Sequence, residues 1–134
     1  MRPLARTAGR PGRLLYIEDN PVNLLIVQEA LAQQGELELR SATNGLDGVR
    51  LAQQERPDLV LVDMQLPDID GLEVLRRLRS DPRTQDVPCI SVSANAMPED
   101  IRRALQAGFA DYWTKPLDLG VFMRSLATLF GRND

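Results

Sequence analysis

Short aliphatic runs alternate with stretches of helical periodicity along most of this sequence, and that alternation limits the fold more than any other feature. The runs are LLYI (14–17), LEL (37–39), LVLV (59–62) and ISV (90–92), with a weaker YWT at 112–114. Between them, apolar residues recur at helical spacing. Val22, Ile26, Ala30 and Gln33 mark one face of the first helix, widened by Leu25 and Leu31. Leu46, Val49 and Ala52 follow in the second. Val74, Leu75 and Leu78 mark the third, Ile101, Ala104 and Leu105 the fourth, and Phe122, Leu126, Leu129 and Phe130 the last. Five strands alternating with five helices predict a parallel sheet covered on both faces, and continuous rather than alternating apolar strands suit that burial.

Junction residues agree with this division. Asn20-Pro21 offers an N-cap followed by proline at the first helical position. Asp70 is placed to cap the third helix, and Pro98-Glu99-Asp100 opens the fourth with acids in its first turn. Gly35 and Gly108 stand where helix C-caps belong. Asn44-Gly45 alone would suggest a hairpin, but the apolar spacing after it predicts a helix start.

Composition narrows the chemistry. The 134 residues suit one domain. They include no histidine, one cysteine (Cys89) and one lysine (Lys115) among 16 basic residues. A disulfide framework, a multi-cysteine zinc site and a histidine-dependent triad are therefore excluded, and reactive groups must come from carboxylates, hydroxyls and Lys115. The longest aliphatic run falls far short of the roughly 20 residues that a membrane helix needs. The first 13 residues carry four of the basic groups and no acid, leaving 12 basic against 19 acidic residues, a net of −7, in the remainder. Such an acidic body is a poor direct nucleic-acid binder. Residues 1–12 are expected to be a disordered basic leader or linker remnant, and the protein to be cytoplasmic.

Ligands of open α/β sheets bind beyond the carboxyl ends of the strands. Those ends carry Glu18-Asp19 after the first strand, Asp63 after the third, Ser93-Ala94 after the fourth and Lys115-Pro116 after the fifth. Two carboxylates about 4 Å apart repel by about 4 kcal/mol at an effective dielectric near 20. Three together suit a hard divalent cation with oxygen ligands, Mg²⁺ or Mn²⁺. A cation, one lysine and one hydroxyl beside a carboxylate form an arrangement for holding a phosphoryl group, and Asp63, closing the most apolar strand, is the natural nucleophile.

These residues resemble the receiver domains of two-component response regulators. The resemblance rests on Glu18-Asp19, on DMQLPDIDG (63–71), on SVSANAMPED (91–100) and on DYWTKP (111–116), and it spans residues 13–131, with 132–134 as a tail. It implies a flavodoxin-like (βα)5 fold, a doubly wound parallel sheet of strand order 2-1-3-4-5. It implies that Asp63 accepts a phosphoryl group from the phosphohistidine of a histidine kinase or histidine phosphotransfer protein. Asp19, Asp63 and the Gln65 carbonyl match direct Mg²⁺ ligands, and Glu18 matches the second acid, acting through water. Ser93 matches the switch hydroxyl, with Ala94 beside it in the phosphate-binding set. Lys115 matches the phosphate-binding lysine, followed by a cis peptide at Pro116, and the Met64 N–H is expected to face the phosphoryl oxygens. Tyr112 matches the aromatic whose rotamer follows phosphorylation, while Gln65 and Asn95 occupy positions that tune acyl-phosphate lifetime.

The resemblance further implies an output surface on the fourth helix, fifth strand and fifth helix. Gly71 and Pro67 are expected to shape the loop after the nucleophile, Cys89 to be a buried apolar residue, and Met64 and Met97 to fill the rim. Trp113 fits either the core or a partner surface. The EDNPVN (18–23) and SANAMPED wording is most similar to receivers of hybrid histidine kinases and relays; a stand-alone regulator is the other context. Two rival classes share parts of this pattern. An aspartyl-nucleophile phosphohydrolase needs an acid where Gln65 stands. A flavin- or nucleotide-binding module needs a glycine- or hydroxyl-rich loop where Glu18-Asp19-Asn20 stands.

Overall fold

In the computed structural model, which describes residues 12–32 and 37–130, ten elements alternate: β1 (Gly12–Ile17), α1 (Pro21–Ala32), β2 (Leu37–Ala42), α2 (Gly45–Gln54), β3 (Leu59–Asp63), α3 (Gly71–Arg79), β4 (Cys89–Ser93), α4 (Pro98–Ala107), β5 (Asp111–Thr114) and α5 (Leu119–Leu129). The strands form one sheet of order β2-β1-β3-β4-β5, the flavodoxin-like order expected. Every pairing is parallel, with Ile17 opposite both Ala42 and Val62, and Asp63 opposite Val92. Strand β1 starts at Gly12, one residue before the expected domain boundary. The expected leader (1–12) otherwise lies outside the described residues, as do Gln33, Gly35 and 131–134.

Period-2 alternation divides the strand side chains between two cores. Leu15, Ile17, Val60, Val62 and Cys89 pack with Val49 and Ala52 of α2, Val74, Leu75 and Leu78 of α3, and Ala104 of α4. Leu14, Tyr16, Leu59, Leu61, Ile90 and Val92 pack with Leu24, Val27 and Leu31 of α1 and Phe122, Leu126 and Leu129 of α5. All five β3 residues are buried, as its continuous apolar sequence requires of a central strand.

Most helix starts follow the expected chemistry. Asn20 Oδ1 accepts from the Val22 N–H at 2.9 Å, Asn44 from Asp47 at 2.8 Å and Asp70 from Glu73 at 2.9 Å. Asn44-Gly45 thus opens a helix rather than a hairpin. Gly108 ends α4 at φ 121°, a backbone that L side chains rarely adopt. Gly71 is needed for proximity: a Cβ there would come within 2.3 Å of Met64 Sδ, so a side chain would push on the residue after Asp63.

Three expected faces require correction. Helix α1 buries Leu24, Val27 and Leu31, while Val22, Leu25 and Ile26 are exposed at 62, 54 and 44%. This helix is apolar around most of its circumference, so two stripes compete and periodicity does not choose between them. Leu46 and Leu105, expected to face the core, are exposed, being one position off the buried rows of α2 and α4. Met97, expected to fill the rim, is exposed at 61% at the N-cap position that precedes α4. Cys89 is fully buried, and burial pushes its thiol up to about 11, which makes it inert at neutral pH. Trp113 is partly buried, edge-on to Phe122 at 5.8 Å, and its indole N–H donates to Asp111 Oδ2.

Candidate functional site

The parallel sheet brings the ends of β1 and β3 side by side, and their acids meet there. Glu18, Asp19 and Asp63 each offer a carboxylate oxygen within 4.8 Å of the others. Asp19 is exposed, whereas Glu18 and Asp63 are buried at 0 and 3% exposure. From the end of β5, the Lys115 ammonium spans the two buried acids, 2.7 Å from Glu18 Oε1 and 3.0 Å from Asp63 Oδ2. The Lys115 N–H donates to the Ser93 carbonyl at 2.9 Å, fixing the end of β5 against that of β4. The Lys115–Pro116 peptide is cis, as expected.

Asp63 Oδ1 accepts the Gln65 N–H at 3.0 Å. Burial, then hydrogen bonding with Glu18, push the Asp63 carboxyl up to about 6 against the opposing pull of the Gln65 N–H and Lys115. Burial acts on Glu18 in the same sense, but hydrogen bonding with Asp63 and Lys115 and the Asn20 N–H outweigh it and hold that carboxyl at about 2. The two acids share one ammonium and cannot both ionise freely in so small a volume. Burial lowers the Lys115 ammonium, yet the two carboxylates raise it on balance. Three carboxylates against one ammonium leave a negative, all-oxygen cluster open on the Asp19 side, a donor set that fits a hard divalent cation.

The remaining expected residues fall around this centre in different ways. Ser93 is buried at 3% exposure, and its Oγ accepts the Asn95 N–H at 3.1 Å. Ala94 is exposed beside it. Tyr112 is partly buried, and its hydroxyl donates to the Asn95 carbonyl. The Asn95 side chain is committed to the start of α4, accepting from the Met97 N–H at 3.0 Å and donating to Asp100 Oδ2 at 2.7 Å. The side chain of Gln65 is exposed.

The Met64 N–H, expected to face the phosphoryl oxygens, donates to the Val92 carbonyl at 3.0 Å in this structure, because the β3–β4 ladder continues one residue past Asp63. The backbone amide on the carboxylate is that of Gln65.

Two residues at the site went unrecognised in the sequence. Tyr16 Oη and Asn23 Nδ2 each donate to Glu18 Oε1 at 3.1 Å. Strand parity was the available signal for Tyr16, since i and i+2 share a face of β1. Asn23 lies in the first turn of α1, where a side chain can turn back toward the end of β1.

A parallel 2-1-3-4-5 sheet with clustered acids and a bridging lysine at its carboxyl edge defines a class of phosphoryl-accepting α/β domain. The chain belongs to the response regulator receiver domain family, whose profile matches residues 14–127. It is 35% identical over 121 residues to the polar-differentiation response regulator DivK of Brucella anthropi, covering 90% of this chain and 98% of that one. It is also 35% identical over 122 residues to the DNA-binding dual master transcriptional regulator RpaA of Synechocystis, covering 91% of this chain and 50% of RpaA. Among solved structures, the receiver domain of sensor histidine kinase PA1611 from Pseudomonas aeruginosa superposes with a TM-score of 0.80 at 34% identity, covering 90% of this chain and 98% of that domain; that structure has a magnesium ion coordinated in its active-site cleft.

Proposed function

We propose that this chain is a cytoplasmic phosphoacceptor switch that takes a phosphoryl group from the phosphohistidine of a histidine kinase or histidine phosphotransfer protein onto Asp63. The observation that carries this reading is the Lys115 ammonium held 3.0 Å from Asp63 Oδ2 within the three-acid cluster. In the transfer, Asp63 attacks phosphorus, the P–N bond to the donor imidazole breaks, and the new P–O bond makes an acyl phosphate. Asp19, Asp63 and the Gln65 carbonyl would hold Mg²⁺ (or Mn²⁺), with Glu18 acting through water, and the cation supplies charge neutralisation for the phosphoryl oxygens. Lys115 follows the phosphoryl oxygens as they arrive, and the Ser93 hydroxyl donates to one of them. The product is a modified carboxylate that changes conformation rather than a released metabolite, so the chain works as a switch and not as a turnover enzyme.

The phosphoryl group favours a state in which Ser93 and Tyr112 move inward. Tyr112 stands ready for this, since its hydroxyl rests on the β4–α4 loop through Asn95. The output face would be α4–β5–α5, where Leu105, Leu119 and Val121 are exposed. That face also has a hollow of about 260 Å³ between β5 and α5, lined by Trp113, Leu117 and Phe122 among others. The likeness to the PA1611 receiver supports a hybrid-kinase or relay context, and that to DivK supports a stand-alone one.

Asp63→Asn tests the assignment. Incubated with acetyl phosphate and Mg²⁺, the native chain takes up one phosphoryl label and the variant takes up none. Equal labelling of the variant would remove Asp63 from the role.

A further inference from the structure

We propose that Tyr16 and Asn23 are positioning residues that keep Lys115 divisible between Glu18 and Asp63, and so control its release to an incoming phosphoryl group. The proposal rests on the reading of Lys115 as the phosphoryl-binding cation.

Glu18 is fully buried, and one of its oxygens carries most of the hydrogen bonding. Oε1 accepts from Tyr16 Oη at 3.1 Å, from Asn23 Nδ2 at 3.1 Å and from Lys115 Nζ at 2.7 Å, while Oε2 accepts the Asn20 N–H at 3.3 Å. A carboxylate oxygen has about two lone-pair directions, so three donors on Oε1 compete. Each neutral donor withdraws part of the charge that would otherwise attract the ammonium. Without Tyr16 Oη and Asn23 Nδ2, Glu18 would be a buried carboxylate satisfied chiefly by Lys115, and such a pair is strong in a desolvated site. Lys115 would then be drawn toward Glu18 and away from Asp63 Oδ2, the atom beside which the phosphoryl group must be built.

The two donors come from structurally independent places. Tyr16 is fully buried in the core shared by β1, α1 and α5, and its ring fixes the hydroxyl beneath Glu18. Asn23 comes from the first turn of α1, whose start is capped by Asn20, itself a donor to Glu18 through its backbone. The position of α1 is therefore linked to Lys115 through one carboxylate oxygen. Tyr16→Phe removes the hydroxyl while keeping the ring that fills the core, and Asn23→Ala removes the second donor at a half-buried position.

Because Lys115 is the only lysine, chain labelled with ¹⁵N-lysine gives a single Nζ resonance. In metal-free protein, ammonium proton exchange at Nζ is expected to slow several-fold in Tyr16→Phe and in Asn23→Ala, and more in the double variant. With saturating Mg²⁺, binding of beryllofluoride as a phosphoryl mimic is expected to weaken several-fold in the same order. Unchanged Nζ exchange in both single variants would overturn the proposal, as would a change confined to melting temperature. If native protein binds no beryllofluoride, the phosphoacceptor reading fails, and the metal-free exchange measurement still decides the roles of Tyr16 and Asn23.

Discussion

The carboxylate of Asp68, in the loop between β3 and α3, ends 2.8 Å from the backbone nitrogen of Gly45, the first residue of α2. Its other oxygen accepts the Leu46 N–H, also at 2.8 Å. The loop that leaves Asp63 thus caps the N-terminus of α2, supplementing the local cap from Asn44. Slight burial would raise the Asp68 carboxyl, but the Leu46 and Gly45 N–H groups outweigh it and hold it below the ordinary range. The same contact fixes the loop that follows Asp63 to the helix of the preceding βα unit.

Asp68→Ala leaves those two N–H groups without the carboxylate, and a lost cap of this kind costs about 1 kcal/mol. The urea midpoint at pH 7 should fall with no change in slope. Since the folded carboxyl is depressed, its contribution is present above the ordinary aspartate range and is lost as pH falls through the folded value. The gap between native and variant should therefore narrow below about pH 4. Equal midpoints at pH 7 would show that Asn44 caps α2 unaided.

Helix α1 offers a test of which apolar stripe supports the fold. Leu24 is 7% exposed against the β-sheet, and its neighbour Leu25 is 54% exposed. Leu24→Ala should cost about 2–5 kcal/mol, as buried leucine truncations do. Leu25→Ala should stay within about 0.5 kcal/mol. Denaturant unfolding of both variants reads the difference directly, and the reverse order would return α1 to the face that its sequence first suggested.

The contrast between α1 and its neighbours shows what was legible before the structure. In α3, Val74, Leu75 and Leu78 are the buried set in both, because arginines at 76, 77 and 79 leave a single apolar stripe. In α1 no charged residue occupies the first two turns, and only packing against Leu14, Tyr16 and Leu61 selects Leu24 and Val27. The site divides in the same way. Glu18, Asp19, Asp63 and Lys115 could be placed because strand ends in a parallel sheet converge at one edge. Strand parity puts Tyr16 on the Glu18 face of β1, but the hydrogen bonds that Tyr16 and Asn23 donate there depend on rotamers that no spacing encodes.

The strained acid pair makes metal response depend on pH in a defined direction. Burial and Glu18 hold the Asp63 carboxyl at about 6, well above its ordinary value of 3.8. A raised folded value means that this group favours the folded state fully below the ordinary aspartate range, and the contribution is lost as pH rises through about 6. Metal-free protein should therefore melt at a lower temperature at pH 7.5 than at pH 5.5. A divalent cation relieves the repulsion only after Asp63 has lost its proton, so below pH 6 the apparent Mg²⁺ affinity should fall by up to about tenfold per pH unit. Calorimetric titration with Mg²⁺ from pH 5 to 8 reads the affinity, and thermal unfolding with and without Mg²⁺ reads the linked stability. Asp63→Asn isolates the cause: the neutral amide removes the repulsion, so the metal-free variant should melt higher than native protein at pH 7.5 and respond little to Mg²⁺. A Mg²⁺-induced rise in melting temperature of equal size at pH 5.5 and 7.5 would contradict the argument, because it would mean that Asp63 is already ionised in the metal-free fold across that range.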